Sequence, residues 1–181
     1  MGFLEEIGGQ LAGARAANGG NFIRDGRGVL MIKRVTVEKL YKGQTFIAEM
    51  EVIDSHESGD KDEKGQLIPP NPVGSTVSFI QQLDARPETA FGNAKAFLLA
   101  AAEEEEDQIT ADQFKVFFAD ACGTKQALRG KLVNYETRRK WTKDKSKLLT
   151  LPTFRAHPQD AADIAARRAA IEAATPEEAK S

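Results

Sequence analysis

The sequence predicts a mostly β protein with added α: a five-stranded Greek-key barrel, with a helical insert between strands 3 and 4 and a helix at the C-terminal end. Three observations carry this. Five runs rich in β-branched and aromatic residues are bounded by glycine, proline or polar turns. Between the third and fourth runs the apolar spacing becomes helical. After His157-Pro158 the chain turns alanine-rich, with Ile164 and Ile171 on a narrow apolar stripe.

Residues 1–20 place Phe3, Leu4, Ile7 and Leu11 at helical spacing, interrupted by Gly8 and Gly9, and predict an N-terminal arm or short helix. The barrel is expected over 21–157. Its first strand spans 28–39, where strict alternation sends Lys33 and Arg34 to opposite faces, so that only one of them joins a groove. Gly43 turns the chain into a second strand, 44–53. The polar stretch 54–72 follows as a solvated loop. Its Asp60, Asp62 and Gly65 partly mimic a calcium loop, but Asn71 stands where the bidentate glutamate belongs, and no flanking helices are predicted.

A third strand, 75–83, precedes a helix over 89–105 with Phe91, Ala94, Phe97, Leu98 and Ala101 on one stripe. The acids from 103 to 107 sit at the unfavourable end of its dipole, so this end frays or passes into loop. Thr110 with Gln113 forms a capping box for a second helix, whose buried side is Phe114, Phe117 and Phe118, and Cys122-Gly123 ends it. Strands four and five follow at 128–137 and 148–154. The last helix begins with Pro158 in its first position and runs to about 174, leaving the acidic tail 175–181.

Charge is placed unevenly. The loop expected at 138–147 carries six cations, one anion and Trp141, a formal +5 in a chain of net charge −2. Cations beside an aromatic ring suit a nucleic-acid strand, the former meeting phosphates and the latter stacking on bases. A lysine-rich tip is equally the kind of solvated loop that protects a sheet edge, and a tryptophan is commonly largely buried. Five strands with a helix after the third give the succession of an OB-fold, whose loops between strands 1 and 2 and between strands 4 and 5 flank an oligonucleotide-binding face. Here those loops hold Tyr41-Lys42 and 138–147, and in both an aromatic stands beside cations. The candidate binding residues are therefore Tyr41, Lys42, Lys131, Tyr135, Arg138, Arg139, Lys140, Trp141, Lys143, Lys145 and Lys147. Tyr135 and Phe154 either line the binding face or fill the barrel; Phe46 is open in the same way, and Phe79 is expected in the core.

The stretches GRGVLMIKRVTVEKLYKGQTFIAEMEVIDS, NPVGSTVSFIQQLD, FGNAKAFLLAAA and LRGKLVNYET, within residues 25–156, resemble the OB-fold single-stranded DNA-binding proteins of tailed bacteriophages. The resemblance implies sequence-independent coating of single-stranded DNA during replication or recombination, partner replication or recombination proteins, and location in the host cytoplasm. It also implies an acidic C-terminal tail that recruits partners. The tail here, TPEEAKS, departs from that pattern, with two glutamates and no terminal aromatic.

Other chemistries find little footing. His56, His157 and Cys122 form no zinc-ligand spacing, and no phosphate loop, dinucleotide fingerprint or nucleophile elbow is present. The expectation is a non-enzyme with no catalytic residues, metal or cofactor. One cysteine precludes an internal disulfide, and the absence of a basic, apolar leader or a long apolar run predicts a cytoplasmic protein with no membrane partner. A second reading is a structural or assembly protein with a β-barrel body, which self-associates without nucleic acid.

Overall fold

The computed structural model describes residues 22–175 except Lys42. The predicted arm at 1–20 and the tail after Thr175 lie outside the described residues. In order the chain forms β1 (Arg27–Leu40), β2 (Gly43–His56), β3 (Thr76–Gln82), α1 (Pro87–Ala102), a 3-10 turn (Glu106–Gln108), α2 (Ala111–Cys122), β4 (Leu132–Trp141), β5 (Leu148–Ala156) and α3 (Ala161–Ala174). The strands make one open antiparallel sheet in the order β3-β2-β1-β4-β5. Strand number, succession and helical insert are those the sequence predicts. The two edge strands approach through side chains, the rings of Phe79 on β3 and Phe154 on β5 lying 4.9 Å apart.

Strand β1 is the centre of the sheet and departs from simple alternation. Its core side chains are Leu30, Ile32 and Val35, a step of two and then three. The pairing skips Lys33, since Ile32 faces Met50 and Arg34 faces Glu49. This β-bulge overturns the expectation that Lys33 and Arg34 diverge: both line one cavity. Strand β2 supplies Phe46, Ala48, Met50 and Val52 to the core in strict alternation, and β3 adds Val77 and Phe79. Helix α1 lies over this layer with Ala90, Ala94, Phe97, Leu98 and Ala101 buried, its alanines allowing close approach. Phe97 stands edge-on to Phe46 and Phe154 at 6.0 and 4.9 Å. A fully buried phenylalanine contributes about 2–3 kcal/mol of hydrophobic stabilisation, so this ring cluster anchors the helix. Phe91, expected on the buried stripe, is instead 54% exposed, in the second turn and about 100° round the helix from Ala90.

Helix α1 stops at Ala102, short of the predicted 105, because Glu103 adopts the left-handed conformation and its N–H turns back to the carbonyls of Leu99 and Ala100. The acids beyond leave the helix, and Glu106 takes the Lys95 ammonium at 2.6 Å. The Thr110–Gln113 capping box forms as predicted. Phe114, Phe117 and Phe118 are half-buried rather than enclosed, packing on one another and against the core.

Strand β4 starts four residues later than predicted. Residues 128–131 form a turn, closed by Arg129 N–H to the Gln126 carbonyl and Lys131 N–H to the Leu128 carbonyl. Gly130 has φ +83°, and a Cβ there would meet the backbone of α3 at 3.1 Å. Above this turn the free edge of β1 is satisfied by other groups. Ile32 pairs with the backbone of Gly130 and Lys131, and the Gln126 side-chain amide donates to the Val35 carbonyl and accepts its N–H at 2.7 and 2.8 Å. The Gln159 amide does the same for Leu132. Helix α3 begins later than expected: Asp160 is its cap, accepting from Ala162 N–H, and Pro158 precedes it. It docks through buried Ile171 and through Arg168, which donates to the Ala127 carbonyl at 3.0 Å.

A substitution isolates the amide that imitates a strand. Gln126→Met keeps the side chain's length but strands the Val35 N–H and C=O, so stability in urea should fall by about 2–3 kcal/mol without a change in slope. A loss below about 0.5 kcal/mol would contradict this role for Gln126.

Candidate nucleic-acid interface

The β4–β5 hairpin carries most of the predicted binding residues, and its strands reach further than expected. Residues 138–141, predicted as loop, continue β4 to Trp141, with Arg138 facing Leu151, Lys140 facing Leu149 and Trp141 facing Leu148. Charged residues do not stop this two-stranded ribbon, because its outward positions, Arg138 and Lys140, stay exposed. Alternation then sorts the side chains. Tyr135, Thr137, Arg139 and Trp141 share one face; Arg138 and Lys140 lie on the other and are exposed.

Three predicted binding residues have structural roles or lie elsewhere. Tyr135 belongs to the core and is 3% exposed, and its buried hydroxyl has its pKa raised by desolvation and then by the Asp54 charge. Its ring is not available for base stacking in this structure. Arg139 Nε lies 3.1 Å from the buried Asp25 carboxylate, and the same guanidinium donates to the Lys61 carbonyl. Asp25 also accepts from Thr150 on β5 at 2.6 Å, so Arg139 ties the chain before β1 and the 54–72 loop to the hairpin. Lys131 sits at the opposite end of β4 from Trp141, about 30 Å away at 3.3 Å per residue. Lys42 lies outside the described residues.

The remaining candidates gather at the hairpin tip. Asp144 builds the turn: its carboxylate accepts from the hydroxyls of Thr142 and Ser146 and from the Ser146 N–H. Those hydrogen bonds, Thr142's first, hold the carboxyl at about 2, below the usual aspartate value. The single acid of the tip is thus engaged locally. Arg138, Lys140, Lys143, Lys145 and Lys147 are exposed and form no ion pair among the described residues. Trp141 is 58% exposed among them, not packed into the core.

Below the tip lies a groove of about 730 Å³. It is lined by Lys140, Trp141, Lys143 and Lys147 of the hairpin tip, by exposed Leu149 and Leu151 of β5, and by Arg86 and Thr89 at the start of α1. Sequence reasoning passed over Arg86, Leu149 and Leu151. The outward leucines had a signal, since they alternate with the inward Leu148 and Thr150; Arg86 had none beyond its charge.

The β1–β2 turn stands at this same end of the molecule. Tyr41 is fully exposed at its tip. Gly43, at φ +104°, lies directly against Asp84, which accepts the Gln44 N–H at 2.7 Å, while Leu83 N–H donates to the Gln44 carbonyl. Two residues after Asp84, Arg86 lines the hairpin groove. The connection from β3 to α1 therefore joins the two tips that carry an aromatic residue.

Elsewhere, His56 meets Asp54 and His157 meets Asn134, each at 2.9 Å, and Asp62 turns its own loop by accepting from Lys64 and Gln66 N–H. Among the described residues no three metal-ligating side chains converge, and no helix is long and apolar enough to cross a membrane. In comparisons with known proteins, no family model and no curated protein matches the chain.

The Asp144 turn makes a pH prediction with a definite sign. A carboxyl whose folded pKa is depressed stabilises the turn fully above its unfolded value near 4, and that contribution disappears as pH falls through about 2. Carboxyl carbon shifts followed by NMR should give Asp144 a midpoint near 2, with Thr142 and Ser146 amides moving in step. A midpoint near 4 would show that the turn does not hold its charge.

Proposed function

We propose that this protein binds single-stranded DNA, largely without sequence preference, through the end of the molecule that carries Tyr41 and Trp141. The observation that carries the reading is the hairpin tip: an exposed tryptophan among five cations that form no ion pair among the described residues, above a groove lined in part by Leu149 and Leu151. Unpaired cations lose nothing when they meet phosphates, and each phosphate contact releases condensed counterions. Exposed aromatic faces stack on any base, which gives affinity without a sequence code. The roles follow from exposure. Trp141 and Tyr41 stack; Arg138, Lys140, Lys143, Lys145, Lys147 and Arg86 contact the backbone; Arg139 and Tyr135 hold the frame.

The sheet order and helical insert support an OB-type Greek-key barrel whose third and fifth strands meet through Phe79 and Phe154. With that architecture, the resemblance to phage single-stranded DNA-binding proteins supports a non-enzymatic role in DNA replication or recombination in the host cytoplasm, alongside proteins of those processes. Self-association on the strand is compatible with this role.

Fluorescence anisotropy of a labelled oligo-dT tests the proposal. Binding should weaken steeply with salt, and Trp141→Ala should weaken it roughly 5- to 150-fold, the equivalent of about 1–3 kcal/mol for one stacked base. Removing Lys143 should weaken all sequences alike and lower the salt slope by about 1. An absence of binding at low salt refutes the proposal and turns attention to an assembly role.

A further inference from the structure

A second cavity, of about 690 Å³, lies against the face of β1 turned away from the core, walled by the connection after α2 and by the end of α3. The bulge builds it. With one extra residue in β1, Lys33 and Arg34 line the same cavity instead of dividing between the two faces. Arg129 enters from the turn before β4. One of its terminal nitrogens lies 3.4 Å from Glu172, and its side chain lines the cavity. Lys33 and Arg34 have no ion pair among the described residues. Glu49, across the strand from Arg34, is the one carboxylate among the described residues of the wall, against the three cations Lys33, Arg34 and Arg129. Cys122 adds no charge at neutral pH, because burial pushes its thiol up to about 11.

We propose that this cavity binds a phosphate group, with Lys33, Arg34 and Arg129 as its contacts. Two sources share that chemistry: a small polyphosphate anion, or the phosphodiester backbone of a long single strand continuing past the hairpin groove. The phosphate site itself does not rest on the nucleic-acid reading of the hairpin.

The test uses the full chain, the Lys33→Ala/Arg34→Ala double variant and Trp141→Ala, each checked for native circular dichroism. In one arm, pyrophosphate should raise the Tm of the unaltered protein and of Trp141→Ala in a concentration-dependent way, but not that of the double variant. In the other, the double variant should bind an oligo-dT of about 30 nucleotides on the order of 5-fold more weakly, while binding of an oligomer of about 8 nucleotides is unchanged. The first response alone assigns a free-anion site, the second alone a backbone contact, and both together a shared phosphate site. Neither response, in the double variant or in Arg129→Gln should the former misfold, overturns the proposal. Because Trp141→Ala keeps its pyrophosphate response only if the sites are separate, failure of the hairpin reading is distinguishable from failure of this one.

Discussion

The fold depends on satisfying the backbone of β1. This strand is central, so each of its peptide groups needs a partner on one side or the other. Strand β2 covers one edge along its whole length, from Arg27 opposite His56 to Leu40 opposite Gly43. The other edge is shared out: β4 pairs with residues 27–31, the Gly130–Lys131 backbone takes Ile32, and the Gln126 amide takes Val35. That sequence of partners explains why the chain turns at 128–131 instead of extending the strand, and why α3 packs over that turn. It also frees β4 to leave β1 near Arg27 and continue as a two-stranded ribbon with β5. The projecting hairpin follows from where the β1 ladder ends.

The same arrangement divides the cations into those that hold the structure and those left to act. Arg139, one position before the strand's outward Lys140, is fixed by the buried Asp25 carboxylate. Breaking that contact would leave a charge in a poorly solvated place, a change that commonly costs several kcal/mol. Arg168 and Lys95 are likewise engaged, the first by the Ala127 carbonyl and the second by Glu106 and the face of Phe114. Among the described residues the lysines at 140, 143, 145 and 147 have no such contacts, and exposed charges of this kind contribute little to stability. They gather instead around a half-exposed tryptophan at the hairpin tip.

Much of this was legible from the residues. Alternation and turn chemistry gave five strands in order, the Thr110–Gln113 cap and the premature end of the acid-rich helix. What escaped was set by tertiary contacts. Nothing local marks Lys33 as an extra residue, because the bulge is defined against β2. Leu128 and Val133 look alike in a strand pattern, but only Val133 has a strand partner, and the φ of Gly130 answers to α3. Arg139 and Lys140 are indistinguishable in sequence; a carboxylate more than a hundred residues away separates them. The aromatic and cationic tips could be read as candidates, whereas their connection through Asp84 and Arg86 became visible only with the β3–α1 segment in place.

The central claim is that the two tips and the segment between them form one interface. Backbone NMR of the full chain titrated with an unlabelled oligo-dT of about 8 nucleotides tests it most directly. The account predicts that Tyr41, residues 83–89 and residues 140–149 shift together, with one common affinity, while α2 stays unperturbed. Shifts confined to one tip, or spread over the surface in proportion to positive charge alone, would contradict it.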